Sequence, residues 1–383
     1  MSAHTPTLDP MFLDRSLLGK TVSHGGTPWR TTPRRMAITG GMLLLHQLLY
    51  QTSKLARRRD ERVYGDYRDV RVRAPLFIAA SPRSGTTYLH RLMCLDEQFT
   101  YFKLYHTLLP SIAIYRTVER LAAADHRLTS ALKQGLSWIE RKSFKGWEGI
   151  HRLGFDRPEE DEGLFLLTLM SPSLCLLTPE LEELQRGLAI DDLDESSKQR
   201  LMDYYEGCIQ RLLYMEGTHK RFLCKSVLLQ GRIHAVLKRF PDAKFIHLVR
   251  HPYEAIPSFV SMFRIPWRWH SPGIADRSPQ TRALAQLAID NYRRMHAAEK
   301  QLGADTVLTI TYKDLLAEPR QVVLKLYERL ELEPTAAFTQ ALSQSTSEAR
   351  AYHSQHHYSL EQFGLSKKDV YEPLAEIFLP TWV

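Results

Sequence analysis

Between an apolar run and a helix-like pattern, the segment Ser81-Pro82-Arg83-Ser84-Gly85-Thr86-Thr87 gathers a guanidinium, several hydroxyls and a glycine. Such a loop turns backbone N–H groups toward one point, and the helix that follows adds the partial positive charge of its N-terminus. Ser84, Thr86 and Thr87 supply further donors, and Arg83 supplies a full charge. The natural occupant is a phosphate or sulfate group. The loop is not a nucleoside-triphosphate loop of the Walker type, because Thr86 stands where that motif carries its lysine. A second constellation lies in FIHLVRHPYEAIPSF: a β-rich run ends at Val249, Arg250 follows, and Ser258 comes eight residues later. An arginine leaving a strand and a serine on the next helix can converge on one anion. Two anion sites on one sheet edge suit a nucleotide phosphorylated at both ends of its sugar.

These residues need a sheet to hold them. Pro75–Ala80, Phe222–Lys225, Lys244–Val249 and Thr306–Ile310 are apolar runs of strand length separated by helical stretches. In KQRLMDYYEGCIQRLLYM, residues Leu201, Tyr205, Cys208, Leu212 and Met215 share one helical face. Ile233, Val236, Leu237 and Phe240 do the same in a shorter helix that Pro241 ends. Ser278 and Pro279 mark a helix start, and Pro319 marks another. Strands alternating with helices imply an α/β fold with a central parallel sheet flanked by helices. Residues 1–70 read as a polar leader and helical extension, 71–383 as the main domain, and about 99–196 as a mostly helical insertion beside the sheet.

SPRSGTT together with FPDAKFIHLVRHPYEAIPSF resembles the sulfotransferases that use 3′-phosphoadenosine 5′-phosphosulfate (PAPS), in their bacterial-type branch. TYKDLLAEP, PEEDE and HHYSLEQFGL extend the resemblance from about Arg71 to the C-terminus. It implies a P-loop-type fold and a sulfuryl donor, with no metal. It also implies that Arg83, Ser84, Gly85, Thr86 and Thr87 hold the 5′-phosphosulfate, while Arg250 and Ser258 hold the 3′-phosphate. Lys225, which ends RFLCK beside the loop, matches the family's strand-end lysine, so Lys225 and Arg83 are the expected cations at the reacting centre. His356 and Tyr358 resemble the C-terminal segment, about 350–383, that closes over the nucleotide.

The acceptor's proton needs a base. The family's histidine positions after the lysine are Val227 and Leu229 here, so no histidine carries over. RPEEDEGLF offers Glu160 or Glu162, although acids in a first helical turn also serve simply to complement the helix dipole. His234 is a weaker rival. Trp267, Trp269 and His270 follow the second motif in a Pro/Gly-broken stretch, where they would line an acceptor pocket or lid, or pack the loop. The acceptor expected is a hydroxyl or amine of a small molecule, lipid or glycan. The alternatives are a catalytically silent nucleotide-binding or scaffold protein, and an atypical P-loop phosphotransferase.

Composition narrows the setting. The 383-residue chain is 44% hydrophobic with a net charge of +8. It shows no zinc-finger, basic-zipper or basic-aromatic pattern, which argues against nucleic acid. Its four cysteines are scattered and sit mostly in apolar runs, as buried thiols of a reducing compartment do, and no secretory pattern opens the chain. A cytoplasmic protein is expected. AITGGMLLLHQLLYQTSK reads as an amphipathic helix packed on the core. The basic run KLARRRDER beyond it leaves a peripheral membrane contact as the alternative.

Overall fold

The computed structural model describes residues 32–80, 83–128, 157–179, 181, 189–349 and 358–378. In chain order the main elements are α1 (Pro33–Val63), β1 (Leu76–Ala79), α2 (Thr86–Met93), β2 (Phe99–Thr100), α3 (Ile112–Leu128), α4 (Glu162–Leu167), α5 (Glu195–Glu216) and β3 (Arg221–Lys225). Then come α6 (Ile233–Arg239), β4 (Lys244–Val249), α7 (Pro252–His270), α8 (Pro279–Leu302), β5 (Val307–Thr311), α9 (Tyr312–Ala317), α10 (Pro319–Arg329), α11 (Ala336–Ala349) and α12 (Lys367–Leu374). The strands form one five-stranded sheet in the order β2-β3-β1-β4-β5, and every pairing is parallel. β1 lies at the centre, with Leu76 opposite Leu223 on one side and Lys244 on the other.

Side chains alternate across the sheet, so each strand serves two cores. Phe77 meets Phe245 and Phe222 on one face, with ring centroids 5.7 and 6.0 Å apart. Leu76, Ile78, Leu223, Ile246 and Leu308 fill the other, against apolar residues of α2 and α10. The expected stripe of α5 is buried from Leu201 to Leu212. Ser278 Oγ accepts from Thr281 N at 3.2 Å and caps α8, with Pro279 in its first turn. All four cysteines are free, three of them buried.

Three expectations change. The edge strand β2 has only two residues, too short to leave a periodic signal. The segment holding Trp267 and His270 is not broken: α7 runs through Pro257 and Pro266 to His270. Trp267 is buried and donates to the Cys175 carbonyl at 2.7 Å, and His270 Nε2 lies 3.0 Å from the Leu176 carbonyl. These two side chains pack the interior and line no lid, because the turn at Pro172–Leu176 and the start of α1 cover that end of α7. Only Trp269 stays partly exposed.

The third change is α1. The helix forms, capped by Thr32 with Pro33 in its first turn, but its orientation reverses the expectation. Its buried residues are Arg35, Thr39, Tyr50, Ser53, Arg57 and Asp60. Leu44, Leu45, Leu48 and Leu55 face outward, 75, 56, 64 and 63% exposed. Asp60 accepts from Arg211 Nε at 3.0 Å and from the backbone N–H of Ile112 and Ala113 at 2.9 and 3.1 Å, so it pairs a buried arginine and caps the start of α3.

Candidate active site

Because β1, β3 and β4 run parallel, their C-terminal ends share one edge, the place where open α/β sheets bind ligands. β1 leads into the loop at Arg83–Thr87, β3 ends in Lys225, and β4 delivers Arg250. The loop is tightly bent. Gly85 has φ +87°, and a Cβ added there would lie 2.6 Å from Cε2 of Tyr312, so only glycine fits. Arg83 also has a positive φ, +74°, a costly backbone for a side-chain-bearing residue. Ser84 is fully buried, and its Oγ finds no hydrogen-bond partner among the described residues. A buried hydroxyl left unpaired costs stability unless a ligand engages it.

The two motifs are joined. Arg83 Nε donates to Ser258 Oγ at 3.2 Å, and Arg250 Nη1 donates to the Arg83 carbonyl at 2.7 Å. The Arg250 guanidinium lies 4.8 Å from the ring centroid of Tyr312, the same ring that excludes a side chain at position 85. Tyr292 donates to the Arg250 carbonyl at 2.7 Å. The sequence-predicted Arg83, Ser84, Gly85, Thr86, Thr87, Arg250 and Ser258 thus gather at one edge, rich in donors.

On the other side of the loop, Lys225 is 1% exposed. Its Nζ donates to Thr87 Oγ1 at 3.1 Å and lies 2.9 Å from Glu160 and 4.0 Å from Glu159. A bridge between the Glu160 and Lys225 backbones fixes this approach. Burial alone would favour loss of the lysine's proton, but the Glu160 and Glu159 carboxylates outweigh it and raise its pKa above the usual value. Lys225 therefore stays an ammonium, held between the loop helix and the acidic segment.

Glu162, the other predicted base, does not join this cluster. Its carboxylate accepts from Arg232 at 3.2 Å and from Ser171, inside a buried network in which Arg232 also pairs with Asp161 at 2.8 Å. Burial raises the Glu162 pKa, and Arg232 opposes the rise. In the structure its carboxylate pairs a buried arginine. His234 sits exposed on its helix, and Val227 and Leu229 are buried apolar side chains. His356 lies outside the described residues. Tyr358 is half-buried, and the segment it opens reaches the second motif: the Phe378 ring lies 5.5 Å from His251 and 5.2 Å from Tyr253.

One residue was missed from the sequence. His90 lies three positions after Thr87 on α2, on the same helical face. It is 1% exposed, and its Nε2 has no partner among the described residues. Burial first, then the Lys225 charge, lowers its pKa from 6.5 to about 3, so the imidazole is neutral. The helical spacing from Thr87 was the available signal. Among the described residues, no group of three or more His, Cys, Asp or Glu is placed to hold a metal ion.

The profile of the sulfotransferase family matches residues 75–336, which hold the whole edge just described. The chain belongs to the sulfotransferase family. This sulfotransferase is 26% identical over 296 residues to the omega-hydroxy-beta-dihydromenaquinone-9 sulfotransferase Stf3 of Mycobacterium tuberculosis and of Mycobacterium bovis, covering 74% of this chain and 68% of the relative. Its fold is that of the sulfotransferase STF9 of Mycobacterium avium, with a TM-score of 0.71 at 17% identity and 95% of each chain covered. It also matches the fold of STF1 of Mycobacterium tuberculosis, with a TM-score of 0.66 at 19% identity, covering 96% of this chain and 100% of the other. Family membership makes the chain a transferase and sets the phosphotransferase alternative aside.

Proposed function

We propose that the donor is PAPS and that the acceptor is a hydroxyl on a small, lipid-like molecule. The observation that carries the donor is the junction of two motifs far apart in sequence, Arg83 to Ser258 and Arg250 to Arg83. It supports one nucleotide spanning both, with its 5′-phosphosulfate at Arg83–Thr87 and its 3′-phosphate at Arg250 and Ser258. The unpaired Ser84 hydroxyl and the bent loop fit such an anion. The nucleotide supplies the sulfuryl group. The lipid-like acceptor is suggested by the Stf3 relatives, whose name specifies a hydroxylated dihydromenaquinone.

The chain's own residues have separable tasks. Arg83 and the loop N–H groups orient the sulfuryl oxygens. Lys225, next to Thr87, supplies positive charge where the bridging oxygen gains negative charge. Glu160, in contact with Lys225, accepts the proton of the acceptor hydroxyl as the new S–O bond forms and the bond to the phosphosulfate bridge breaks. His90, with a pKa of about 3, is too weakly basic for that task near neutral pH. Positioning, not covalent chemistry, carries most of the rate in such in-line displacements.

Calorimetric titration with 3′-phosphoadenosine 5′-phosphate, against ATP with magnesium, tests the donor. The expected result is binding on the order of micromolar for the 3′-phosphorylated nucleotide, weakened at least about tenfold in Arg250→Ala through loss of a charge-assisted contact. Labelled PAPS offered with hydroxylated isoprenoid quinols and with water-soluble alcohols then tests the acceptor. Binding of ATP with magnesium alone would overturn the donor reading. Turnover confined to water-soluble acceptors would overturn the lipid reading.

A further inference from the structure

We infer that the outward face of α1 is a docking surface for an anionic lipid bilayer. The helix is turned inside out relative to an ordinary amphipathic helix. Its inner face is largely polar and engaged with the core: Arg35 donates to Ser271 at 2.6 Å, Arg57 lies 5.0 Å from the Tyr204 ring centroid, and Asp60 holds Arg211 and the start of α3. With this face taken, the leucines have nowhere to go but out.

At 3.6 residues per turn, Ala37, Gly41, Leu44, Leu45, Leu48, Thr52 and Leu55 fall within about 100° of arc, and all seven are exposed. Arg34 at one end and Arg59 and Arg62 at the other fall on the same arc, and Arg58 lies beside it. All four are exposed. The helix's only acids are withdrawn, Asp60 buried and Glu61 paired with Arg68 and Arg211. An apolar strip with basic ends and no free carboxylate fits an interface lined with anionic headgroups. No described helix is long and apolar enough to cross a membrane, so α1 would lie in the plane of the surface.

The charge pattern selects this occupant over a second copy of the chain. Antiparallel pairing of two such faces would set Arg34 against the partner's Arg59 and Arg62. Parallel pairing would set like against like at both ends. Each arrangement stacks cations without an intervening acid.

The test uses the full chain and vesicles of phosphatidylcholine, with or without an equal share of phosphatidylglycerol. Wild type is expected to float with the anionic vesicles, less with the neutral ones, and less as salt rises. Leu44→Gln, Leu48→Gln and Leu55→Gln together should reduce partitioning about a hundredfold. Arg58→Gln, Arg59→Gln and Arg62→Gln together should reduce it by about the same factor on anionic vesicles only. Both variants should keep the wild-type melting temperature and nucleotide affinity, because the substituted side chains are exposed. Absence of wild-type binding, or binding that survives the leucine variant, overturns the inference. So does a wild-type dimer, seen by light scattering, that the leucine variant converts to monomer without any vesicle binding. None of these readouts depends on sulfuryl transfer, so a wrong acceptor assignment would leave them untouched.

Discussion

Replacing Lys225 by methionine separates what that residue does for the fold from what it does for the reaction. The side chain is 1% exposed, 2.9 Å from Glu160 and 4.0 Å from Glu159. At an effective dielectric of about 20, these separations correspond to gross attractions of about 6 and about 4 kcal/mol. Much of that is offset by the cost of burying the charges. Removing one member of a buried pair typically leaves a net loss of about 3–5 kcal/mol, because the carboxylates remain without compensation. Lys225→Met should therefore lower stability by about that amount, measured by urea denaturation. Lys225→Met with Glu160→Gln should recover a large part of it. Turnover should behave differently. If the ammonium stabilises charge on the bridging oxygen, Lys225→Met on its own loses kcat by about a hundredfold or more; the double variant also lacks Glu160, the proposed base, so only its stability bears on Lys225. A Lys225→Met enzyme that loses stability but keeps kcat, measured on the folded fraction, within about tenfold of wild type would refute the electrostatic role and leave Lys225 as a structural residue.

Three further outcomes follow from the same geometry. Gly85→Ala should weaken nucleotide binding at least about tenfold, since it adds roughly 1–2 kcal/mol of left-handed backbone strain and pushes on the Tyr312 ring; Tyr312→Ala in the same chain should recover part of the affinity by calorimetry. Stability should fall on acidification. Burial lowers the pKa of His90 and His106 to about 3 and that of His270 to about 4, so below 6.5 the unfolded chain takes up protons that the folded chain refuses. Each of these histidines should cost about 2 kcal/mol by pH 5, and in thermal melts His90→Gln should flatten the slope between pH 7 and 5. Asp60→Ala, which removes the partner of Arg211 and the cap of α3, should destabilise by about 3–5 kcal/mol while nucleotide affinity, measured on the folded fraction, holds.

The junction of the two motifs at one sheet edge was legible because its signals are local. Arg83–Thr87 and Arg250–Ser258 each place donors directly after a strand, and parallel strands bring their C-terminal ends together whatever else the chain does. The carboxylates were harder. Glu159, Glu160, Asp161 and Glu162 are adjacent in sequence, and only the fold assigns Glu160 to Lys225 and Glu162 to Arg232. His90 was hidden by lying on a helix that looked committed to the loop. α1 was misjudged for a physical reason: apolar residues were assumed to face the core, but the surface it packs on offers Arg211, Ser111, His270 and Ser271, which call for polar partners. The buried Trp267 and His270 were misread because the stretch around Pro266, Pro272 and Gly273 was read as broken, whereas α7 continues through Pro266 to His270.

The polar inner face of α1 also bears on where the protein can be cut. The family match begins at residue 75, and a truncated protein beginning there would look complete by sequence comparison. It would leave the buried Arg211 facing a cleft without its two carboxylates, strip the cap from α3, and deprive Ser271 and His270 of Arg35. The sheet edge with the two motifs would survive on paper while the helices behind it came apart. The shortest fragment worth expressing therefore keeps Thr32, whose side chain caps the start of α1.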